Sequence, residues 1–131
     1  MMMNGETFKE MIFLNTKVPK RGDIWLVSLD PALGAEIKKT RPGVIISSDS
    51  IGVLPVKLVS PITEWKDAFS KMIWQIKVDP NNGNGLKKSS SIDVLQTRSL
   101  DVKRLIQFIG RISEDQMKDV CMALADITEA P

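Results

Sequence analysis

The chain has 131 residues, 43% apolar and 26% charged, the size and balance of one globular domain with a single core. Its net charge of +2 is too small to argue for nucleic acid by itself, and the absence of histidine removes the commonest general base and the commonest metal ligand together. Cys121 is the only cysteine, so no intrachain disulfide can form, and no apolar run nears the roughly 20 residues of a membrane helix.

Residues 1–19 show no clear period. Phe8, Met11 and Ile12 stand at i, i+3 and i+4, which suits a short helix, and the stretch reads equally as a disordered extension. The apolar run Met11–Leu14 is too short for a signal peptide, so the expected location is the cytoplasm. The folded domain is set at residues 20–131. Lys20–Asp23 is a turn, and Ile24–Leu29 is a strand rich in aromatic and branched residues.

Asp30–Asp49 organises the rest. Asp30-Pro31 and Gly34 are turn residues. Glu36, Lys38, Lys39 and Arg41 follow within six residues, and Pro42 forces Arg41 into extended backbone. Val44, Ile45 and Ile46 form an apolar β-branched run. A charged loop thus hangs on a rigid strand with an arginine at the hinge, an arrangement suited to holding an anion.

Val53–Thr63 is the next strand, with Pro55 and Pro61 marking ends, a bulge or an edge. Glu64–Ser70 is a polar loop. Met72–Val78 alternates, with Trp74, Ile76 and Val78 on one side, and Asp79–Gly85 is a strong turn signal. Ser91–Gln96 is a short strand, Ser99–Leu105 one or two helical turns, and Phe108–Ile112 a last strand. Ser113 and Gln116 form a capping box for a helix at about Glu114–Ile127, whose apolar face carries Met117, Val120, Cys121 and Leu124, placing Cys121 in the core. The sum is a small, mainly β domain: five or six short, mostly antiparallel strands in a barrel or curled sheet, closed by a C-terminal helix.

Taken singly, the polar residues have ordinary explanations: Lys38, Lys39 and Arg41 as a solvated loop, Glu36 as their ion-pair partner, Thr63 as a turn residue, Gln96 as a plain polar position. Residues 84–111 carry six Lys or Arg against two Asp, while residues 112–131 carry five acids against one Lys, a faint sign of an anionic ligand. No phosphate loop, dinucleotide fingerprint or Ser–His pair is present. The remaining chemistry rests on Arg, Lys, Glu, Asp, Ser and Thr. A guanidinium grips phosphate and stabilises charge growing on it. Cleaving RNA through its own 2′-hydroxyl needs no further nucleophile.

Lys20–Ser47 resembles the opening of the MazF/PemK toxins of bacterial toxin–antitoxin pairs. The matching residues are Arg21-Gly22-Asp23-Ile24-Trp25, Asp30-Pro31, Gly34, Glu36 and Arg41-Pro42-Gly43-Val44-Ile45-Ile46. Val59–Thr63 is similar to that family's second block and Ser91–Arg104 to its third, so the resemblance spans about Lys20–Ile127. It implies an SH3-like small barrel of about five to seven mostly antiparallel strands with a C-terminal helix, the CcdB/MazF-like fold, and a homodimer. It implies a metal-independent, sequence-selective endoribonuclease that needs no cofactor, cuts single-stranded RNA and leaves 2′,3′-cyclic phosphate and 5′-hydroxyl ends. It also implies an antitoxin that lays an acidic extended segment over the RNA groove.

Carried over by position, Arg41 is similar to the family's catalytic arginine and Thr63 to the hydroxyl residue that holds the scissile phosphate. Glu36 matches an acid used as proton acceptor or loop anchor; with no histidine in the chain, the acceptor role goes to Glu36. Gln96 matches a glutamine beside the groove. Trp65 would stack on a base, worth roughly 1–3 kcal/mol, and Lys38, Lys39, Lys87 and Lys88 would attract the RNA backbone. Two rival readings stand beside this: a non-catalytic toxin of the same fold that traps DNA gyrase, and a plain SH3-like interaction module. The helix end, Ala125–Pro131, offers no aromatic anchor for a gyrase contact.

Overall fold

The computed structural model describes residues 17–131. The short helix or extension expected at residues 1–19 therefore lies almost wholly outside the described residues. Seven strands and one long helix follow: β1 (Asp23–Ser28), β2 (Thr40–Ile45), β3 (Val56–Glu64), β4 (Gln75–Val78), β5 (Ser90–Asp93), β6 (Arg98–Asp101), β7 (Leu105–Arg111) and α1 (Glu114–Ile127). Among the described residues no helix is long and apolar enough to cross a membrane.

All strand pairs are antiparallel, in the order β4-β5-β3-β2-β1-β7, with β6 pairing with β3. Among the described residues the path ends on β4 and β7, so the curled sheet stays open. β6 and then β5 run along one edge of β3. Between them Val94–Gln96 loops out as a single 3-10 turn, capped by the Asp93 side chain, which accepts the Gln96 N–H at 3.2 Å. The Ser91–Gln96 strand therefore stops at Asp93.

Ser99–Leu105 corrects a sequence expectation. Arg98–Asp101 is strand β6, paired with Val56–Val59, and only Val102–Arg104 makes a 3-10 turn. Pairing with a distant strand overrides a local pattern that also suits a helix.

Period-two alternation builds the core. Ile24 and Val44 face α1, packing with Ile46, Ile62, Ile92, Val78, Met117, Val120 and Ala123. Trp25, Val27, Ile45, Val59 and Leu100 form a second cluster on the other side, with Phe108 edge-on to Trp25 at 5.9 Å. Each fully buried branched side chain contributes about 1.5–3 kcal/mol. The capping box on α1 forms as expected: Ser113 Oγ accepts the Gln116 N–H, and Gln116 Oε1 accepts the Ser113 N–H, both at 3.1 Å. Cys121 is not in the core. It is exposed at the edge of the apolar stripe, where Ala123 takes the inner position, and its Sγ lies 3.3 Å from Arg21 Nη2.

The Arg21-Gly22-Asp23 motif is scaffold. Asp23 is fully buried, pairs with Arg111, and accepts the Lys20 N–H at 2.9 Å. Arg21 donates through Nη1 to the Ile46 carbonyl.

Candidate active site

A proline on β2 opens the sheet. β2 and β3 pair through Val44 with Ser60 and Gly43 with Pro61, and there the pairing stops. Ile46 donates to the Leu58 carbonyl, so the next hydrogen-bonded positions along β2 are Val44 and Pro42, and Pro42 lacks the N–H that would extend the ladder. β3 turns away and pairs with β5 from Ile62 to Glu64. Arg41 on β2 and Thr63 on β3 border the opening. Both line a groove of about 430 Å³, and both also line an adjoining recess of about 150 Å³ that reaches Lys88.

Alternation also sets the groove floor. Ile62, Ile76 and Ile92 are cross-strand neighbours directed into the core. The residues between them take the opposite face: Thr63 beside Ser91, and Gln75 beside Asp93. Ser91 Oγ donates to Gln75 Oε1 at 2.6 Å, and Gln75 Nε2 donates to Asp93 Oδ2 at 3.1 Å. Asp93 is 9% exposed. Burial pushes its carboxyl above the ordinary Asp value, against hydrogen bonds from the Gln96 N–H, the Gln75 side chain and the Leu95 N–H.

The loop over the groove is pinned along its length. Asp30 Oδ1 accepts the Lys39 N–H at 3.0 Å, and the Lys39 carbonyl accepts the Leu29 N–H at 2.9 Å. Lys39 takes φ of +71°, a left-handed backbone unusual outside glycine. Arg98 Nη1 donates to the Leu29 carbonyl and Arg104 Nη1 to the Ser28 carbonyl, each at 3.2 Å. Gln96 spans the loop centre: its Oε1 accepts the Ile37 N–H and its Nε2 donates to the Ala35 carbonyl, both at 3.2 Å.

Of the residues singled out from the sequence, Arg41, Thr63 and Gln96 meet in the groove, and Lys88 borders the recess, where its Nζ lies 3.3 Å from Glu64 Oε2. Glu36 does not line either cavity. It is exposed and its Oε1 accepts the Leu33 N–H at 2.7 Å, closing its own turn. Lys38, Lys39 and Lys87 are exposed and away from the lining. Trp65 packs edge-on against Phe69 at 5.7 Å, with Lys77 Nζ 5.3 Å from its ring centre, and it is Phe69 that lines the groove. The basic bias of residues 84–111 is partly internal, because Arg98, Arg104 and Arg111 all bond within the chain.

Asp93 and Gln75 are groove residues that reading by motif passes over. Their signal is polar residues alternating with isoleucine in Gln75-Ile76-Lys77 and Ser91-Ile92-Asp93.

Comparison with known proteins gives this geometry a family. Endoribonuclease MazF9 of Mycobacterium tuberculosis is 31% identical over 111 residues, covering 80% of this chain and 92% of the relative. Endoribonuclease PemK of Escherichia coli is 31% identical over 110 residues, covering 82% and 80%. MazF of Deinococcus radiodurans has the same fold, with a TM-score of 0.72 at 19% identity over 86% of this chain and 98% of that one. Its complex with MazE gives 0.69 at 19%, over 88% and 100%. The family model for PemK-like, MazF-like toxins of type II toxin–antitoxin systems matches residues 20–128. The chain belongs to that PemK/MazF toxin family.

Proposed function

We propose that this toxin acts as an endoribonuclease, cutting single-stranded RNA at selected sequences in the groove between β2 and β3. The observation that supports this most is the pairing of Arg41 with Thr63 across the proline-opened split, where a guanidinium and a hydroxyl border one anion-sized opening. The planar guanidinium grips the scissile phosphate and stabilises the charge that builds on it, and the Thr63 hydroxyl donates to the same group. The RNA's own 2′-hydroxyl attacks phosphorus, so the step runs without a metal ion and leaves a 2′,3′-cyclic phosphate and a 5′-hydroxyl. Single strands are the substrate because their bases can splay into a groove. Phe69, braced by Trp65, offers a ring for stacking, and Lys66 and Lys88 lie along the path of the backbone. Glu36 serves as the loop anchor, the second of the two roles its position suggests.

Incubation of the purified protein with a long single-stranded RNA in excess EDTA tests this. Discrete fragments with 5′-hydroxyl ends are expected; intact RNA, or fragments only with added metal, contradicts it. The same reading proposes a cytoplasmic homodimer and a MazE-like antitoxin whose acidic extended segment covers the Arg41 groove. Such a segment protects RNA competitively, and an antitoxin that leaves Arg41 open to RNA contradicts it.

A further inference from the structure

We infer that Asp93, rather than Glu36, is the proton acceptor of the cleavage step, a catalytic carboxylate on the groove floor that shares a sheet face with Thr63. This deepens the reading above and rests on RNA cleavage in this groove. Four observations carry it.

The first is position. Asp93 lines the same groove as Arg41 and Thr63, and Glu36 does not. The register makes the placement rigid, since Thr63 neighbours Ser91 on β5 and Asp93 is two residues further along the same strand and face. The second is orientation. Oδ2 accepts from Gln75 Nε2 and Oδ1 accepts from the Gln96 N–H. With the Leu95 N–H as a third donor, three of the roughly four acceptor sites of the carboxylate are filled, which leaves one for a substrate proton.

The third is electrostatic. The charged groups around Asp93 are Arg41 from β2, Glu64 from β3, Lys66 from the connection after it, and Lys77 from β4. None of the three cations makes a salt bridge to it. Desolvation therefore dominates and makes the carboxylate a stronger base than an exposed one. The fourth is coupling. Gln96 caps Asp93 with its backbone N–H and clamps the loop before Arg41 with its side chain, so one residue fixes both acceptor and loop.

The 2′-hydroxyl gives its proton to an Asp93 oxygen, and the 2′-oxygen forms a bond to phosphorus. The bond from phosphorus to the 5′-oxygen breaks. That oxygen takes a proton from solvent water, and Asp93 returns its own proton to the hydroxide so formed.

The test is the single-turnover cleavage rate of wild type, Asp93→Asn and Glu36→Gln on one RNA from about pH 4 to about pH 9. The wild-type rate should rise with pH to a plateau, with a midpoint above the ordinary Asp range. Asp93→Asn should be slower by about 100-fold or more and lose that rise, while Glu36→Gln keeps it. The inference is overturned if Asp93→Asn keeps the rise, or if Glu36→Gln is the variant that loses it. Should Asp93→Asn fail to fold, two measurements still decide. The Asp93 carboxyl titration followed by ¹³C NMR in the wild type should match the kinetic midpoint, and a mismatch overturns the assignment. Gln75→Met removes a bond that favours the charged form, so the midpoint should move to higher pH; an unmoved midpoint overturns it too. If wild type cuts RNA and Arg41→Ala does not, yet Asp93→Asn behaves as wild type, only this inference fails. If wild type leaves RNA intact, the RNA reading fails and takes this one with it.

Discussion

Gln96 holds Ile37 from across the groove: the Ile37 N–H donates to its side-chain oxygen at 3.2 Å, while the same amide donates to the Ala35 carbonyl at 3.2 Å. A side chain thus stands in for a strand neighbour where the loop has none. Gln96→Leu removes both bonds at a cost of about 1–2 kcal/mol to the loop. Hydrogen exchange at the Ile37 amide should speed up while exchange in α1 stays unchanged. Cleavage should fall roughly 10-fold, because the hinge arginine is less well placed.

Asp93→Asn should raise stability near neutral pH. Its folded-state pKa is raised, so the folded chain binds that proton more tightly than the unfolded chain. That stabilising contribution is complete below the unfolded Asp range and is lost as pH rises through the folded value. At about pH 7 the buried, ionised carboxylate therefore costs stability, and asparagine removes the cost. Thermal melts should show a higher Tm for the variant at about pH 7 and a gap that closes toward about pH 3. A gap that widens in acid would contradict this.

Gly43 sits at the last β2–β3 pair before the split. A Cβ there would meet Val59 Cγ1 at 2.7 Å and Val27 Cγ2 at 3.2 Å. Gly43→Ala should cost about 1–3 kcal/mol in urea unfolding through overpacking. Cleavage by the folded fraction should also change, because the widened pair separates Arg41 from Thr63.

Asp23→Ala should destabilise by about 3 kcal/mol, since it removes a buried carboxylate that accepts from Lys20 and pairs with Arg111. The folded fraction should cut RNA at the wild-type rate, a result that separates the scaffold half of the first motif from its groove half.

Much of this was legible in the sequence, for physical reasons. Ile24-Trp25-Leu26-Val27 announces a strand, and Ser113 with Gln116 announces a helix start, because each signal is local. The Arg41–Pro42 pair marks an extended hinge for the same reason. β6 was not legible, because Arg98–Asp101 is a strand only through pairing with Val56–Val59. Cys121 lies at the edge of an apolar stripe, and only the position of Arg21 shows that this edge is left uncovered. Asp93 and Glu36 are both acids near candidate groove residues in sequence. Choosing between them needs the β4–β5 register and the Glu36–Leu33 turn, neither of which spacing reveals.

The most direct test of the central claim compares wild type with Arg41→Ala and Thr63→Val on one long single-stranded RNA in excess EDTA, with every new 5′ end mapped. The expected result is discrete cuts by wild type with 5′-hydroxyl ends, a loss of about 100-fold or more for Arg41→Ala, and a smaller loss for Thr63→Val. Equal cutting by wild type and Arg41→Ala would contradict the account, because the β2–β3 split would then not be where RNA is cleaved.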